Sequence, residues 1–148
     1  MKHKKSLIII TTAILIILFD QLTKFLITKN IRLNDSIAVI KNFLYFTYIQ
    51  NTGAAFGLLK GFNMILIIIS IIVIGVIIYY YKKIPEENYV FASVGLILGG
   101  AVGNLINRLS LGYVIDFIDF RIWPAFNVAD SALTIGVLIL IVYFVKKK

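Results

Sequence analysis

Two aspartates, Asp116 and Asp130, have the spacing and the surroundings of a pair that does chemistry. They lie in a polar stretch, residues 99–133, between two long apolar runs. Apolar runs of that length belong in a bilayer, where polar and charged groups are rare unless they serve a function. Two carboxyl groups held close together share one proton, because both cannot ionise at once. The ionised group then takes a proton from water while the protonated group polarises a peptide carbonyl, which is the chemistry of an aspartyl protease.

The residues alone leave the assignment of this pair open. Asp119 follows Asp116 in the same Asp-Phe-Ile-Asp segment and is a rival for its role. An acid in the first turn of a helix, where we expect Asp130, often serves only as a cap or a dipole partner. A serine–lysine protease built on Ser131 and Lys24 is a further alternative, although Ser131 would point away from the helix face of Asp130.

Polar side chains that would orient the two carboxylates, or bind substrate carbonyls, occur along the chain. They are Asn51, Asn104, Arg108 and Asn127. Asn127 is also a good N-cap for a helix that begins at the next residue. Asp20 and Lys24 are four residues apart with the acid first, which is the favourable order for an ion pair on one helix face. The sequence leaves open whether this pair only neutralises itself in the membrane or also reaches the site.

The composition is that of an integral membrane protein. Hydrophobic residues make up 60% of the 148, only 15% are charged, and the mean hydropathy is +0.95. A soluble domain of this size lacks the interior volume to bury so much apolar surface. The chain has no cysteine, and its only histidine is His3 in a basic tail. Thiol catalysis, histidine-based zinc motifs and a Ser-His triad are therefore excluded, and we expect no metal and no cofactor.

Four apolar runs are each about long enough to cross a bilayer as a helix. The predicted spans cover residues 6–27, 62–81, 89–107 and 128–145. The first run has the basic start and apolar core of a secretory signal peptide, but no small-residue cleavage site follows, so we interpret it as a span. Gly95, Gly99 and Gly103 put small residues on one face of the third span, where membrane helices pack closely.

Residues 30–60, between the first two spans, predict a small β-sheet on the membrane surface. Residues 43–49 are rich in aromatic and β-branched side chains, which favour strands. The segment from Asn51 to Gly57 has turn chemistry and small residues that allow close backbone approach. The predicted fold is therefore one all-α integral membrane domain over 1–148, with four transmembrane helices and a small extracytoplasmic sheet. We expect Asp116 at the end of the loop after the third span.

The distribution of lysines predicts the orientation of the chain in the membrane. Four spans place both termini on one side, and lysine and arginine near the membrane favour the cytoplasm. The tails and the 82–88 turn carry eight lysines against two glutamates. We predict cytoplasmic termini, with the regions 28–61 and 108–127 outside and the site toward the outer leaflet. Attraction of lysines to lipid headgroups accounts for the net charge of +8, so no nucleic-acid partner is expected.

Five motif blocks, in this order along the chain, resemble those of the lipoprotein signal peptidases, also called signal peptidase II. The blocks are Asp20-Gln-x-x-Lys24, Asn51-x-Gly-Ala-Ala-Phe-Gly57, Asn104-x-x-x-Arg108, Gly112-x-Val-x-Asp116-Phe and Phe126-Asn-x-Ala-Asp130-Ser. The resemblance covers essentially the whole chain. It implies an aspartyl endopeptidase of the bacterial inner membrane that removes signal peptides from prolipoproteins. The cut would fall N-terminal to a cysteine that carries a diacylglyceryl group.

The same resemblance implies a role for each candidate residue. It makes Asp116 and Asp130 the catalytic dyad, in preference to Asp119. The residues that would line the site or support it are Asn51, Asn104, Arg108, Asn127, Asp20 and Lys24. The extracytoplasmic strands would form the family's cradle over the substrate, the partners would be diacylglyceryl-modified prolipoproteins and membrane lipids, and the cyclic peptide globomycin would inhibit. Many members have an acid just before the arginine, and Asn107 here puts in doubt an ion pair from that position.

A small transporter or channel subunit is the alternative from another class, because intramembrane Asp, Lys and Arg mark such proteins too. A transport path needs polar groups near mid-membrane in several spans. Here the second span is bare of ionisable groups, and the others carry theirs at one end. A structural scaffold would leave this clustering unexplained, so the pattern favours a site at the membrane surface.

Overall fold

The computed structural model describes residues 2–53 and 61–147, which form four long helices and a three-stranded antiparallel sheet. The helices are α1 (Lys2–Asn30), α2 (Asn63–Tyr80), α3 (Asn88–Leu111) and α4 (Val128–Lys146). The strands are β1 (Ser36–Ile40), β2 (Leu44–Asn51) and β3 (Val114–Asp119). A short 3₁₀ turn over Tyr81–Lys83 follows α2. Each of the four helices is long and apolar enough to cross a membrane, so the prediction of four transmembrane helices with a small sheet is confirmed.

Helix α3 is the centre of the bundle and packs against α1, α2 and α4. Its glycines allow the close approach. A Cβ added at Gly99 would lie 2.8 Å from the carbonyl oxygen of Ala13 in α1, and one at Gly100 would overlap the carbonyl of Ala129 in α4. The predicted small-residue face therefore contacts α1, and Gly100 lets α4 approach closely as well. Most side chains of α2 remain exposed, as expected for a helix that faces lipid.

The sheet has the strand order β1-β2-β3, and its strands come from two parts of the chain. Strands β1 and β2 lie between α1 and α2, as predicted, but β3 lies between α3 and α4. Asp116 is therefore in a strand and not in the loop that the sequence predicted. Alternating residues of Val114–Asp119 face opposite sides of the sheet, and the strand gains a full partner in β2. Residues 54–57 of the second motif lie outside the described residues.

Two local features join the sheet to the helices. Helix α3 ends at Gly112, whose φ of +82° is a left-handed cap conformation that glycine adopts without strain, and the chain turns directly into β3. An apolar cluster then fastens the sheet to the end of α1. Its buried members are Ile27, Ile31, Ile115 and Phe117. The sheet is thus held at one end of the bundle, beside the first turn of α4.

Candidate active site

A cavity of about 700 Å³ lies where the sheet meets α2, α3 and α4. Asp116 and Asp130 both line it, so the structure brings together the two aspartates that the sequence singled out. Asn51, Asn104 and Arg108 line the same cavity. The site is therefore built from β2, β3 and two of the helices, which lie far apart in the sequence.

Helix α2 forms an apolar wall of this cavity. The second span is bare of ionisable groups, so its sequence gives no reason to place it at a site. In the structure Leu66, Ile69 and Ser70 line the cavity, together with Leu133 and Ile135 of α4. The one signal in the sequence is Ser70, a polar residue in the middle of an apolar run.

Asn127 is the residue that holds the two aspartates next to each other. Its side-chain Nδ2 donates to Oδ1 of Asp116 over 2.7 Å, and its Oδ1 accepts from the backbone N–H of Asp130 over 2.9 Å. The carboxylate of Asp130 in turn accepts from the backbone N–H of Asn127, which completes a capping box at the start of α4. The predicted N-cap is confirmed, and the same cap contacts both aspartates.

Each aspartate has a second amide donor from another element. Asn51 at the end of β2 donates its Nδ2 to Oδ2 of Asp116 over 2.8 Å. Asn104 of α3 donates its Nδ2 to Oδ1 of Asp130 over 2.7 Å. Asn127 also donates to Oδ1 of Asn104 over 3.2 Å. Three asparagines thus fix the orientation of both carboxyl groups and link them in one hydrogen-bond network.

Asp20 and Lys24 are completely buried behind this network. Nζ of Lys24 lies 2.7 Å from Oδ2 of Asp20, and it also donates to Oδ1 of Asn104 over 3.1 Å. The other oxygen of Asp20 accepts from the backbone N–H of Ala129 over 3.0 Å. Because Lys24 occupies the oxygen of Asn104, the amide nitrogen of Asn104 is directed at Asp130. The question that the sequence left open is answered: the pair neutralises itself and also reaches the site.

We expect this buried pair to behave as one unit in a double-mutant cycle. Asp20→Ala and Lys24→Ala should each destabilise the fold by about 3–5 kcal/mol, because each strands a buried charge. The double variant should recover part of the loss, although the N–H of Ala129 and the oxygen of Asn104 then lack partners. Thermal unfolding of the purified protein in one detergent measures the effect. Losses that simply add would show that the two residues are not coupled.

Arg108 and Asn107 are adjacent but face different surroundings. Arg108 lines the cavity, its Nη2 approaches the carbonyl of Gly53 at 3.5 Å, and its Nε is buried with no hydrogen-bond partner among the described residues. Asn107 instead donates to Oε1 of Gln21 on α1 over 3.2 Å. The residue before the arginine therefore belongs to the contact between α1 and α3. Arg108 is left to face the cavity.

The surroundings of Asp116 favour its protonated form. Burial raises the pKa of Asp116 to about 7, and the neighbouring charge of Asp130 acts in the same direction. The hydrogen bonds from Asn51 and Asn127 stabilise the carboxylate and oppose the rise in pKa. Near neutral pH the protonated and the ionised form of Asp116 are therefore both populated.

The other residues that the sequence offered for the chemistry, Asp119 and the combination of Ser131 with Lys24, are placed differently from Asp116 and Asp130. Asp119 does not line the cavity; its carboxylate accepts from Oγ1 of Thr47 and from the backbone N–H of Arg121. Ser131 lines the cavity, but its hydroxyl donates to the carbonyl of Asn127, while Lys24 is engaged elsewhere. A serine–lysine arrangement is not assembled. Within residues 2–53 and 61–147, no three His, Cys, Asp or Glu side chains are grouped as metal ligands.

Comparison with known proteins gives a consistent result. The family model described as signal peptidase (SPase) II matches residues 12–146. A lipoprotein signal peptidase of Halothermothrix orenii is 45% identical over 130 residues, which cover 88% of this chain and 90% of the relative. A lipoprotein signal peptidase of Staphylococcus aureus is 40% identical over 151 residues, which cover 97% and 93%.

Solved structures agree with this assignment. A bacterial membrane enzyme determined by the in meso method at 1.9 Å resolution is 38% identical, with a TM-score of 0.85 over 95% of this chain and 94% of that one. A second such structure, at 2.3 Å, has a TM-score of 0.88. The four apolar helices and these similarities make the chain a multi-pass protein of a bacterial membrane, and it belongs to the signal peptidase II family of peptidases.

Proposed function

We propose that the chain is an aspartyl endopeptidase that removes signal peptides from prolipoproteins, with Asp116 and Asp130 as its catalytic dyad. The observation that carries the proposal is the contact of one residue, Asn127, with both aspartates in one cavity. The names of the relatives, lipoprotein signal peptidases, supply the substrate class. The raised pKa of Asp116 supports the shared proton that such a dyad requires.

The mechanism follows from the two protonation states of the dyad. A water molecule between the carboxyl groups loses a proton to the ionised aspartate and attacks the carbonyl carbon of the scissile bond. The protonated aspartate donates a hydrogen bond to the carbonyl oxygen, so negative charge that develops there is stabilised. Collapse of the tetrahedral intermediate, with proton transfer to the leaving amine, gives the shortened protein and the free signal peptide. The three asparagines keep both carboxyl groups oriented throughout.

The lining of the cavity is suited to a substrate that arrives through the membrane. Its α2 and α4 walls carry Leu66, Ile69, Leu133 and Ile135, which would contact the apolar segment of a signal peptide. Asn51 and Asp116 line the same cavity from strands β2 and β3. The buried Nε–H of Arg108, without a partner among the described residues, is suited to donate a hydrogen bond to an oxygen of the substrate's backbone or of its glyceryl group. We propose that the cut falls just before a diacylglyceryl-modified cysteine.

The direct test uses purified protein and a lipidated prolipoprotein in one detergent. We expect a product shortened by the length of the signal peptide, with the modified cysteine at its new N-terminus, identified by mass spectrometry. Globomycin should prevent its formation. A precursor that remains intact under conditions in which the protein is folded would refute the proposed activity.

The proposed orientation places the dyad on the outer side of the membrane. Both termini and the 82–88 turn would be cytoplasmic, because they carry most of the lysines. Reporter fusions after Lys148 and within residues 84–88 should therefore report a cytoplasmic location. Fusions within residues 34–42 should report an external one. An external C-terminus would place the site on the wrong side for cutting exported precursors.

The pH dependence of cleavage should reflect the raised pKa of Asp116. The shift is upward, so the proton is retained to near neutral pH and is lost as the pH rises through about 7. We expect kcat/KM to fall above that pH, approaching tenfold per unit, because both carboxylates are then ionised. Asn51→Ala should move this limb to higher pH, since the Asn51 amide stabilises the carboxylate. The measurement is the cleavage rate between pH 5 and 9. As a control, each sample is returned to pH 6 to show that the loss of activity is reversible. A flat pH profile would contradict the mechanism.

A further inference from the structure

Strand β2 contains a β-bulge between the residues that face Asp119 and the residues that face Asp116. The cross-strand pairs, taken along β2, are Tyr45 with Asp119, Phe46 with Ile118, Ile49 with Asp116, Gln50 with Ile115 and Asn51 with Val114. From Phe46 to Ile49 strand β2 advances by three residues, whereas from Ile118 to Asp116 strand β3 advances by only two. Thr47 and Tyr48 together take the place that one residue would occupy in a regular ladder.

The bulge decides which side chain of β2 faces Asp116. Side chains alternate between the faces of a sheet, so a change of one residue in register moves every later side chain to the other face. Continued without the bulge, the register of Tyr45 with Asp119 would bring Asn51 opposite Tyr113, on the face away from Asp116. With the bulge, Asn51 lies opposite Val114, on the same face as Asp116, and reaches it over 2.8 Å.

Asp119 holds the part of β2 that precedes the bulge. It is buried, with 7% of its surface exposed, and its Oδ2 accepts from Oγ1 of Thr47 over 2.8 Å. Its Oδ1 accepts from the backbone N–H of Arg121 over 2.8 Å, which anchors the carboxylate at the end of β3. The hydroxyl of Thr47 also lies 2.9 Å from that of Ser36 on β1. These bonds keep the side chain of Thr47 on the face of the sheet opposite to Asp116. The extra residue of β2 must therefore be accommodated after Thr47, at Tyr48.

The bulged residue itself has every backbone group satisfied. The carbonyl of Tyr48 accepts from the N–H of Asn34, and its N–H donates to the carbonyl of Asp35. Its ring packs against the apolar cluster that joins the sheet to α1. The bulge is therefore an integral feature of the sheet, and the side chain of Asp119 anchors it to β3.

We propose that Asp119 is a positioning residue: through Thr47 it sets the register of β2 so that Asn51 contacts Asp116. This inference rests on the proposed function, because it gives Asp119 its effect through one member of the proposed dyad. What matters in Asp119 is the pair of hydrogen bonds that its side chain makes, one with the hydroxyl of Thr47 and one with the backbone N–H of Arg121, and not its ability to ionise. Asp119 does not line the cavity, and it lies on the face of the sheet opposite to Asp116, so we assign it no direct part in the chemistry.

Steady-state cleavage of a lipidated precursor tests the role of Asp119. Asp119→Ala should lower kcat at least tenfold with KM within about twofold, because the orientation of Asp116 changes while the apolar substrate contacts remain. Asp119→Asn keeps an oxygen for the N–H of Arg121, and its amide can donate to the hydroxyl of Thr47, which then donates to Ser36, so its kcat should stay within threefold of the wild type. Asp35→Ala, which removes an exposed carboxylate near the same sheet, is the matched control and should have no effect.

The register itself can be measured without activity, because the chain contains no cysteine. Gln50 and Ile115 are opposite each other, so cysteines at these two positions should form a disulfide on mild oxidation. In a register without the bulge the two side chains would lie on opposite faces. Adding Asp119→Ala to the cysteine pair should slow cross-linking at least tenfold, whereas adding Asp119→Asn should not.

The two measurements together decide the proposal. A wild-type kcat for Asp119→Ala would overturn it, and so would a lowered kcat with unchanged cross-linking, because the effect would then not pass through the register. Asp119→Asn as inactive as Asp119→Ala would also overturn it. If Asp119→Ala does not accumulate, Thr47→Val removes the same hydrogen bond at equal volume and should lower both kcat and cross-linking at least threefold. If the wild type cleaves nothing, the proposed function fails, while cross-linking still reports on the register.

Discussion

Asp116→Asn and Asp130→Asn should each abolish cleavage of a lipidated prolipoprotein, with rates at least a thousandfold below the wild type. The substitution is nearly isosteric, but it removes the titratable group that takes the proton from water or donates to the substrate carbonyl. Positioned acid–base groups contribute about 10²- to 10⁴-fold each, and neither half of a shared-proton pair works alone. The amount of protein in the membrane should stay near that of the wild type, because an amide retains one acceptor for the asparagine donors.

Asp119→Asn is the matched control for the dyad variants. It makes the same chemical change in the strand that contains Asp116, three residues after it, on a carboxylate that does not line the cavity. Cleavage rates should be measured with membrane levels of each variant determined in parallel. An inactive Asp119→Asn beside an Asp116→Asn enzyme of near wild-type turnover would mean that the proposed dyad is wrongly assigned.

The diacylglyceryl group of the substrate should raise kcat/KM at least a hundredfold over that for the same precursor with an unmodified cysteine. We expect the proposed dyad to lie at the membrane surface, and the apolar segment of a signal peptide does not by itself determine how deep its cleavage point lies. Each buried methylene of an acyl chain contributes about 0.8 kcal/mol, so two chains dominate the depth of the neighbouring cysteine. Arg108 would then hold the glyceryl end near Asp116 and Asp130.

Such positioning should appear in kcat as well as in KM, because the scissile bond is held near the carboxyl groups for longer. The comparison needs two batches of one precursor, with and without prior diacylglyceryl transfer, in the same bilayer or detergent. As a control, both batches of precursor are incubated without the enzyme and should remain intact. Equal rates for the two batches would refute the proposal that the lipid sets the depth of the cleavage point, and would favour a general signal-peptide hydrolase.

Features with a local cause were predictable from the sequence of this chain. The four spans depend on apolar runs of sufficient length, and each forms its own backbone hydrogen bonds in lipid whatever its neighbours are. The N-cap at Asn127 depends on contacts within three residues. The ion pair of Asp20 and Lys24 depends on spacing along one helix. In each case the interacting groups are close in the chain, so residue type and spacing suffice.

Features that depend on contacts between distant segments were decided only by the tertiary structure. Asp116 and Asp119 share a segment and a residue type, and they differ because pairing with β2 puts them on opposite faces of the sheet. The wall that α2 contributes to the cavity depends on how helices pack around α3. The link from Lys24 to Asn104 spans 80 residues and exists because the glycines of α3 allow α1 to approach closely. Spacing in the sequence does not encode such distances, since they result from the packing of whole helices and from a one-residue bulge in a strand.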